Sequence, residues 1–427
     1  MLIQNLSLFL SDKVSNRNIL SKLYQLNKFY SYNPFERKEI IVNKLAFTLK
    51  NAYENISYYY DLAEDNNLKE IFLNFKMQNL KDIPTINKDV LRKNKKYSLR
   101  PDISKDIKYC YTNGSTGGRV SVAYDQEAMD WSSAVMIFCR GLYGHKLTNK
   151  EVHLSTDIRS RIKREQLSQF AKEWVNNRSN IFIRDFNQQS ILNYLDQLSN
   201  KKTNLLHGMP SQVNGLIKNE REGFYIPLVE TSGEVLSSNQ RMNIENFFST
   251  KVIDRYGLAE SGIVAYQMPK QDNLSVIDFH TFVEVDNNGE IIVTNLNNKI
   301  MPLIRYRTGD FCNNKGIIDG FHQIKVKEGR EHSIANYKGN KLNTASIEDV
   351  IFTFEEVKDL QFQLTQNREI INILIEIDKK TNFQNIQNKV NKFTNTDLGK
   401  IINLGSNLDF KLSGNQGKKL RVVILDK

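Results

Sequence analysis

In the segment YTNGSTGGRV, Tyr111 to Val120, the glycines Gly114, Gly117 and Gly118 are interleaved with Thr112, Ser115 and Thr116. Backbone amides and hydroxyls in such a loop can wrap phosphate oxygens with no side chain in the way. The Lys-Ser/Thr pair of the GxxxxGK[ST] loop is missing, and a plain flexible turn fits the same residues. A second segment, IDRYGLAES, puts Tyr256 four residues before Glu260. An aromatic face can stack on a base, and a carboxylate can hold a divalent cation beside phosphates; a turn carrying a solvated acid also fits. In the third, RYRTGD, Asp310 follows Gly309 in what reads as a turn and can accept hydrogen bonds from ribose hydroxyls, or pair with a neighbouring arginine at the surface. Gly329-Arg330 and Gly417-Lys418 complete the set. A lysine on a glycine-flexible loop of a small domain can be carried to and from a site, though a solvated basic tail fits as well.

The elements that must position these residues follow from apolar spacing. Aromatics and leucines recur every three or four residues in SKLYQLNKFY and LKEIFLNFKMQNL, so the first hundred residues form a helical lead-in. From Tyr109 to about Lys327, strand-like EVHLS, NIFIRDF, TNLLHGM, PLVETSG and KVIDRYG alternate with helical SILNYLDQLSN and SNQRMNIENFF. That alternation predicts crossover units and a largely parallel sheet. TFVEVDNNGEIIVTNL then reads as a hairpin turning at NNG within a strand-rich subdomain. Helix in ASIEDVIFTF, strand in EIINILIEID, helix in FQNIQNKVNKF and strand in LDFKLS make a small α+β module, reached through the polar stretch GREHSIANYKGN. The expected class is α/β: a large domain over 1–328 and a small mobile domain over 329–427. His207 to Ser211 and the region from Trp131 to Gly144 can line a substrate pocket, or be a buried strand end and a core helix.

The 427 residues, 40% hydrophobic and 25% charged, exclude disordered and collagen-like chains. Lys+Arg exceeds Asp+Glu by 59 to 48, giving +11, but the basic residues are spread out. No basic stripe interleaved with aromatics appears, which argues against nucleic acid as partner. Three cysteines, Cys110, Cys139 and Cys312, without a CxxC pair, argue for a reducing compartment and against structural zinc. MLIQNLSLFLSDKV lacks the make-up of a signal peptide, and no apolar run has the roughly 20 residues a membrane span needs. A cytoplasmic protein without a membrane span is expected.

The five segments occur in one order, and in that order the chain resembles the adenylate-forming enzymes: acyl-coenzyme A ligases, peptide-synthetase adenylation domains and luciferases. It most resembles the phenylacetate-coenzyme A ligase branch, which also holds CapK-like adenylating proteins of capsule biosynthesis. The likeness runs from about Leu80 to the end. It implies that Thr112, Gly114, Ser115, Thr116 and Gly117 form the ATP phosphate loop; Asn113 departs from the family pattern, and Arg119 stands one place late for the usual basic residue. Ser232, Gly233 and Glu234 resemble the adenine-lining segment. Asp254 matches the residue at the adenine amino group, Tyr256, before Gly257, the residue stacking on the ring, and Glu260 the magnesium-binding acid. Asp310 matches the aspartate that grips the ribose, with Arg330 as its partner. The aspartates usual after that arginine are replaced by Glu331, His332 and Ser333, with His332 the nearest equivalent of the hinge residue. Lys418 matches the mobile catalytic lysine, with Lys419 as its rival. The resemblance therefore implies ATP with Mg²⁺, a small carboxylic acid as substrate, and release of pyrophosphate from an acyl-AMP. Coenzyme A, or a sugar or carrier amine, would be the acceptor, in capsule or surface-polysaccharide assembly. Aryl-coenzyme A ligation of the phenylacetate type and a non-catalytic adenine-nucleotide-binding homologue are the alternatives, and a homodimer fits as well as a monomer.

Overall fold

The computed structural model describes residues 12–13, 16–93, 107–111, 121–155, 177–183, 188–217, 221–330, 334–351, 354, 357–377, 383–394, 397, 401–403, 412–413, 418–419 and 422–425. The chain divides into two compact units. One comprises Met1–Ser155, Arg161–Thr308 and Cys312–Val326; the other comprises Thr156–Ser160, Gly309–Phe311 and Lys327–Lys427.

The larger unit opens with the helices expected of the lead-in, Ile19–Ser31, Pro34–Asn55, Ser57–Asp65 and Lys69–Leu73. The longest starts sharply because Pro34 fixes the first helical φ and Asn33 caps it. The Asn33 side chain accepts from the amides of Phe35 and Glu36, and Glu36 returns a bond to the Asn33 amide at 3.0 Å. Leu45, Leu49, Ala52, Tyr59 and Phe72 carry this helical layer into the main core.

Thirteen strands follow among the described residues. A hairpin pairs β1 (Lys108–Tyr111) with β2 (Ser121–Tyr124). Next come β3 (Glu151–Ser155), β4 (Arg178–Phe182), β5 (Leu205–Gly208), β6 (Leu228–Ser232) and β7 (Val252–Leu258), then β8 (Gly262–Gln267) and β9 (Leu274–Val276). The run ends with β10 (Thr281–Val285), β11 (Glu290–Asn295), β12 (Tyr306–Ile318) and β13 (Phe321–Arg330). All but the first two form one sheet of order β10-β11-β12-β13-β9-β8-β7-β6-β5-β3-β4. From β4 to β7 the neighbours are parallel, joined by helices including Gln188–Asn200 and Ser238–Phe248. From β7 through β8 to β9 they are antiparallel. The expected parallel strands are β3 to β7, and the expected strand-rich run continues the same sheet as β8 to β13. In the NNG turn Asp286 accepts from the amides of Asn288 and Glu290, and Gly289 adopts φ +87°. RYRTGD, expected as a turn, instead starts β12, because its backbone is taken up by the ladder and by the Ile86 bridge to Tyr306.

In the smaller unit a four-stranded sheet runs β18-β17-β16-β21, where β16 is Val357–Leu364, β17 Ile370–Ile377, β18 Ile401–Asn403 and β21 Val422–Ile424. The helices Thr344–Ile351 and Phe383–Thr394 contribute Ile347, Ile351, Ile386 and Val390 to its own core. Two hairpins accompany it, β14 (Ile334–Tyr337) with β15 (Asn340–Asn343) and β19 (Leu412–Ser413) with β20 (Lys418–Lys419). The polar stretch that reads as a connection thus contains a hairpin whose Ala335 and Tyr337 are buried.

Candidate active site

Parallel pairing of β6 with β7 sets Thr231 opposite Asp254 and Ser232 opposite Arg255. Ser232, Gly233 and Glu234 therefore lie beside Asp254, Tyr256 and Gly257 at the carboxyl ends of adjacent strands, where open α/β sheets bind ligands. Gly233 adopts φ +88°, a turn that admits glycine without strain. Glu234 Oε2 accepts from the Ser211 amide at 3.0 Å and ties the turn after β6 to the one after β5. Asp254 Oδ1 accepts from Thr231 Oγ1 at 3.2 Å and from the Arg255 amide at 3.0 Å. Burial outweighs these bonds and raises its pKa to about 6. Tyr256 is half-buried beside a register shift in β7, and a Cβ on Gly257 would lie 3.1 Å from the Gly262 carbonyl.

Glu260 sits in the turn from β7 to β8 and is 3% exposed. Its Oε1 accepts from Tyr306 Oη at 3.0 Å and lies 3.8 Å from Lys88 Nζ. The turn has further supports: Tyr124 Oη donates to the Ala259 carbonyl at 2.9 Å, and Gly262 takes φ +70°. His280 Nε2 donates to the Ser261 carbonyl at 3.0 Å, since a carbonyl can only accept, and its Nδ1 accepts from Asn297 at 3.1 Å. Burial and nearby Lys44 lower the His280 pKa to about 4, so the ring is neutral. Asn297 is bonded in turn by Lys44 Nζ at 2.7 Å. The Tyr124 bond brings the β1–β2 hairpin, whose strands residues 112–120 connect, next to the Glu260 turn.

The remaining candidates divide as follows. Thr112, Gly114, Ser115, Thr116 and Gly117, with Asn113 and Arg119, lie outside the described residues, as do Glu331, His332 and Ser333. Asp310 is a buried residue of β12, after Gly309 at φ +74°. The arginines of RYRTGD do not pair with it in the contacts that define them: Arg305 forks onto Glu284 at 3.0 and 3.1 Å, and Arg307 bonds Asp286 and Glu290. Arg330 ends β13, and Lys418 and Lys419 form β20 opposite Ser413 and Leu412. The helix Gln126–Gly141 buries Trp131 against Phe279, which supports its reading as a core helix. Sequence reasoning passed over Lys88, Tyr124, Tyr306 and His280. Only Tyr306 lay inside a motif; the others meet the turn through long-range contacts.

Among the described residues no group of three metal-ligating side chains occurs. A magnesium ion shared with phosphates needs only one or two protein carboxylates, and Glu260 fits that requirement: Oε1 is fixed by Tyr306, while Oε2 has no hydrogen-bond partner among the described residues.

No known family profile matches the chain. It is 22% identical to the phenylacetate-coenzyme A ligase of Escherichia coli over 365 residues, covering 78% of this chain and 80% of that one. With the enzyme of that name from Pseudomonas putida it shares 20% over 394 residues, 84% and 86% of the two chains. It is also 24% identical to the indoleacetate–lysine synthetase of Pseudomonas savastanoi over 193 residues, 43% of this chain and 48% of that one. Among solved structures, 2-hydroxyisobutyryl-CoA ligase in its postadenylation state shares the fold at TM-score 0.67 and 15% identity, over 91% and 90% of the chains. ATP-bound MatB from Rhodopseudomonas palustris matches at TM-score 0.50 and 15% identity, over 73% and 66%. Over most of its length the chain is thus similar in sequence to phenylacetate-coenzyme A ligases, and it shares the fold of adenylate-forming acid-coenzyme A ligases.

Proposed function

We propose that this chain activates a small carboxylic acid with ATP and passes the acyl group to coenzyme A. The acid's carboxylate attacks the α-phosphorus, a P–O bond forms as the bond to pyrophosphate breaks, and the acyl-AMP is then attacked by the thiol with loss of AMP. The observation that carries this reading is the meeting of the β6 and β7 ends with the Glu260 turn, beside the hairpin whose strands residues 112–120 join. Asp254 and Ser232 to Glu234 would receive adenine, Tyr256 would stack on it, and residues 112–117 would wrap the phosphates. Asp310 and Arg330 would hold the ribose. Glu260 would hold Mg²⁺, which when bound neutralises phosphate charge. Lys418 would offset charge between carboxylate and α-phosphate, and His332 would serve as the hinge. Positioning and electrostatics then supply most of the rate. The names of both phenylacetate-coenzyme A ligases support coenzyme A as acceptor.

A second reading passes the acyl group to an amine. It is favoured by the likeness to a protein whose name joins indoleacetate with lysine, and the proposed surface-polysaccharide setting would follow from it. The test is pyrophosphate release by the full chain with ATP, Mg²⁺ and a panel of aryl, fatty, hydroxy and amino acids, followed by addition of coenzyme A or amines. Acid-dependent release and a coenzyme A thioester are expected. No release with any acid would overturn adenylation, and AMP release driven by amines but not by coenzyme A would establish the second reading.

A further inference from the structure

The strand that carries Asp254 and Tyr256 carries Arg255 between them, on the opposite face. Paired residues of neighbouring strands share a face and successive residues alternate. His207, Glu230, Ser232 and Arg255 therefore lie on one side of the sheet, and Thr231 and Asp254 on the other. Glu230, fully buried, is clamped from below by Arg140 through two bonds, at 2.8 and 3.2 Å, and by Tyr266 Oη at 2.9 Å. Arg140 also meets Glu151 at 3.0 Å, and Glu151 is bonded by His145 and His153. At the open end, Arg255 Nη1 lies 3.3 Å from Glu230 Oε1, and Arg255 Nη2 donates to His207 Nε2 at 3.2 Å.

Two features of this arrangement point to a ligand. The bonded groups set two cations, Arg140 and Arg255, against two carboxylates, Glu151 and Glu230, and Arg178 adds a cation near His153; burial lowers the pKa values of His153 and His207 to about 3 and 4, so both rings are neutral. Hydrogen bonding is not balanced. Because Nε2 of His207 accepts, its proton is on Nδ1, which faces the buried Glu230 Oε1 at 3.1 Å. The Arg255 guanidinium has five N–H donors and meets only Glu230 and His207 among the described residues. Its side chain is 16% exposed and that of His207 15%. Donors exceed acceptors at this partly exposed end of the network.

We infer that Arg255, held in place by Glu230 and His207, forms a subsite for an uncharged oxygen on the acid, a hydroxyl or an amide or ketone carbonyl, so that the substrate is an oxygen-bearing acid rather than a plain aryl or alkyl one. This rests on the adenylation reading, since an acid in reach of the α-phosphorus must lie against the strand ends that flank the nucleotide. A hydrocarbon there would desolvate donors without replacing their bonds, whereas an acceptor would complete them. A second carboxylate would bring a further negative charge up to Glu230, which Arg255 already meets.

The experiment is calorimetric binding of matched acids to the full chain in the presence of a non-hydrolysable ATP analogue, with pyrophosphate release measured alongside. The matched sets are butanoate with its 3- and 4-hydroxy forms, succinamate and succinate, and phenylacetate with 4-hydroxyphenylacetate. The best oxygen-bearing acid should bind about 10- to 100-fold tighter than its parent and than succinate. Arg255→Met should bring that ratio near one, and Arg255→Lys, which keeps the charge and guards against misfolding of the first variant, should reduce it. Preference for the parent acid or for succinate, or a ratio unchanged in either folded variant, overturns the subsite. Discrimination in binding without pyrophosphate release from any acid would instead leave the subsite standing and overturn adenylation.

Discussion

The Glu260 carboxylate is aimed by neighbours that use one of its oxygens and leave the other. Glu260→Gln keeps an acceptor for Tyr306 but loses the charge a cation on phosphates would meet. Its adenylation rate should fall by roughly 10²–10³, the order seen on loss of a preorganised electrostatic partner. Tyr306→Phe removes one bond to a charged group and should cost about 10-fold; both are read by pyrophosphate release across a magnesium titration. Asp254 makes a separate prediction about stability. Its folded pKa of about 6 lies above the ordinary carboxylate value, so the native state is penalised as pH rises through that interval, and the penalty is complete above about pH 6. Asn at this position keeps the oxygen that accepts from Thr231 and Arg255. Asp254→Asn should therefore melt at a higher temperature than the parent at pH 7. The difference should close as pH falls towards 4, and adenine-nucleotide affinity should weaken if the assigned role holds. A gain that persisted unchanged at pH 4 would exclude the ionisation as its cause.

At the scale of elements, the NNG turn supplies a direct test. Gly289 sits at φ +87°, where a Cβ is strained, and the turn sets the register of β10 against β11. Gly289→Ala should lower stability by about 1 kcal/mol, visible as a small fall in melting temperature with adenylation retained. The five parallel strands were legible because each is a short apolar run between helical stretches, and this sheet class buries both faces. β16 was passed over although LQFQL has the period-two alternation of a half-buried strand; the polar Lys358-Asp359 pair interrupts that pattern at its start. RYRTGD reads as a turn because of its glycine, yet strand pairing and the Arg305 bonds to Glu284 override that local preference. The candidate site was legible where it lay in short motifs, at Ser232, Asp254, Tyr256 and Glu260. It was not legible where the arrangement is built from contacts far apart in sequence: Lys88 and Tyr306 converge on Glu260, and Arg140 and Tyr266 on Glu230. No local pattern marks such pairs.

For the whole molecule, the decisive question is whether a lysine of the smaller unit takes part in one half of the reaction. Lys418 and Lys419 are consecutive in β20, opposite Ser413 and Leu412. The roles of the two separate by single substitution. Adenylation and thioester formation are measured apart, the first as pyrophosphate release, the second by supplying preformed acyl-AMP with coenzyme A. If Lys418 offsets charge between carboxylate and α-phosphate, Lys418→Ala should lower the first by about 10²-fold or more and leave the second within a few-fold, because the second step makes and breaks bonds at the acyl carbon and not at phosphorus. Lys419→Ala should leave both near the parent rate. The reverse pattern assigns the role to Lys419, and equal loss of both half-reactions in either variant indicates a structural part for this hairpin and removes the lysine from the chemistry.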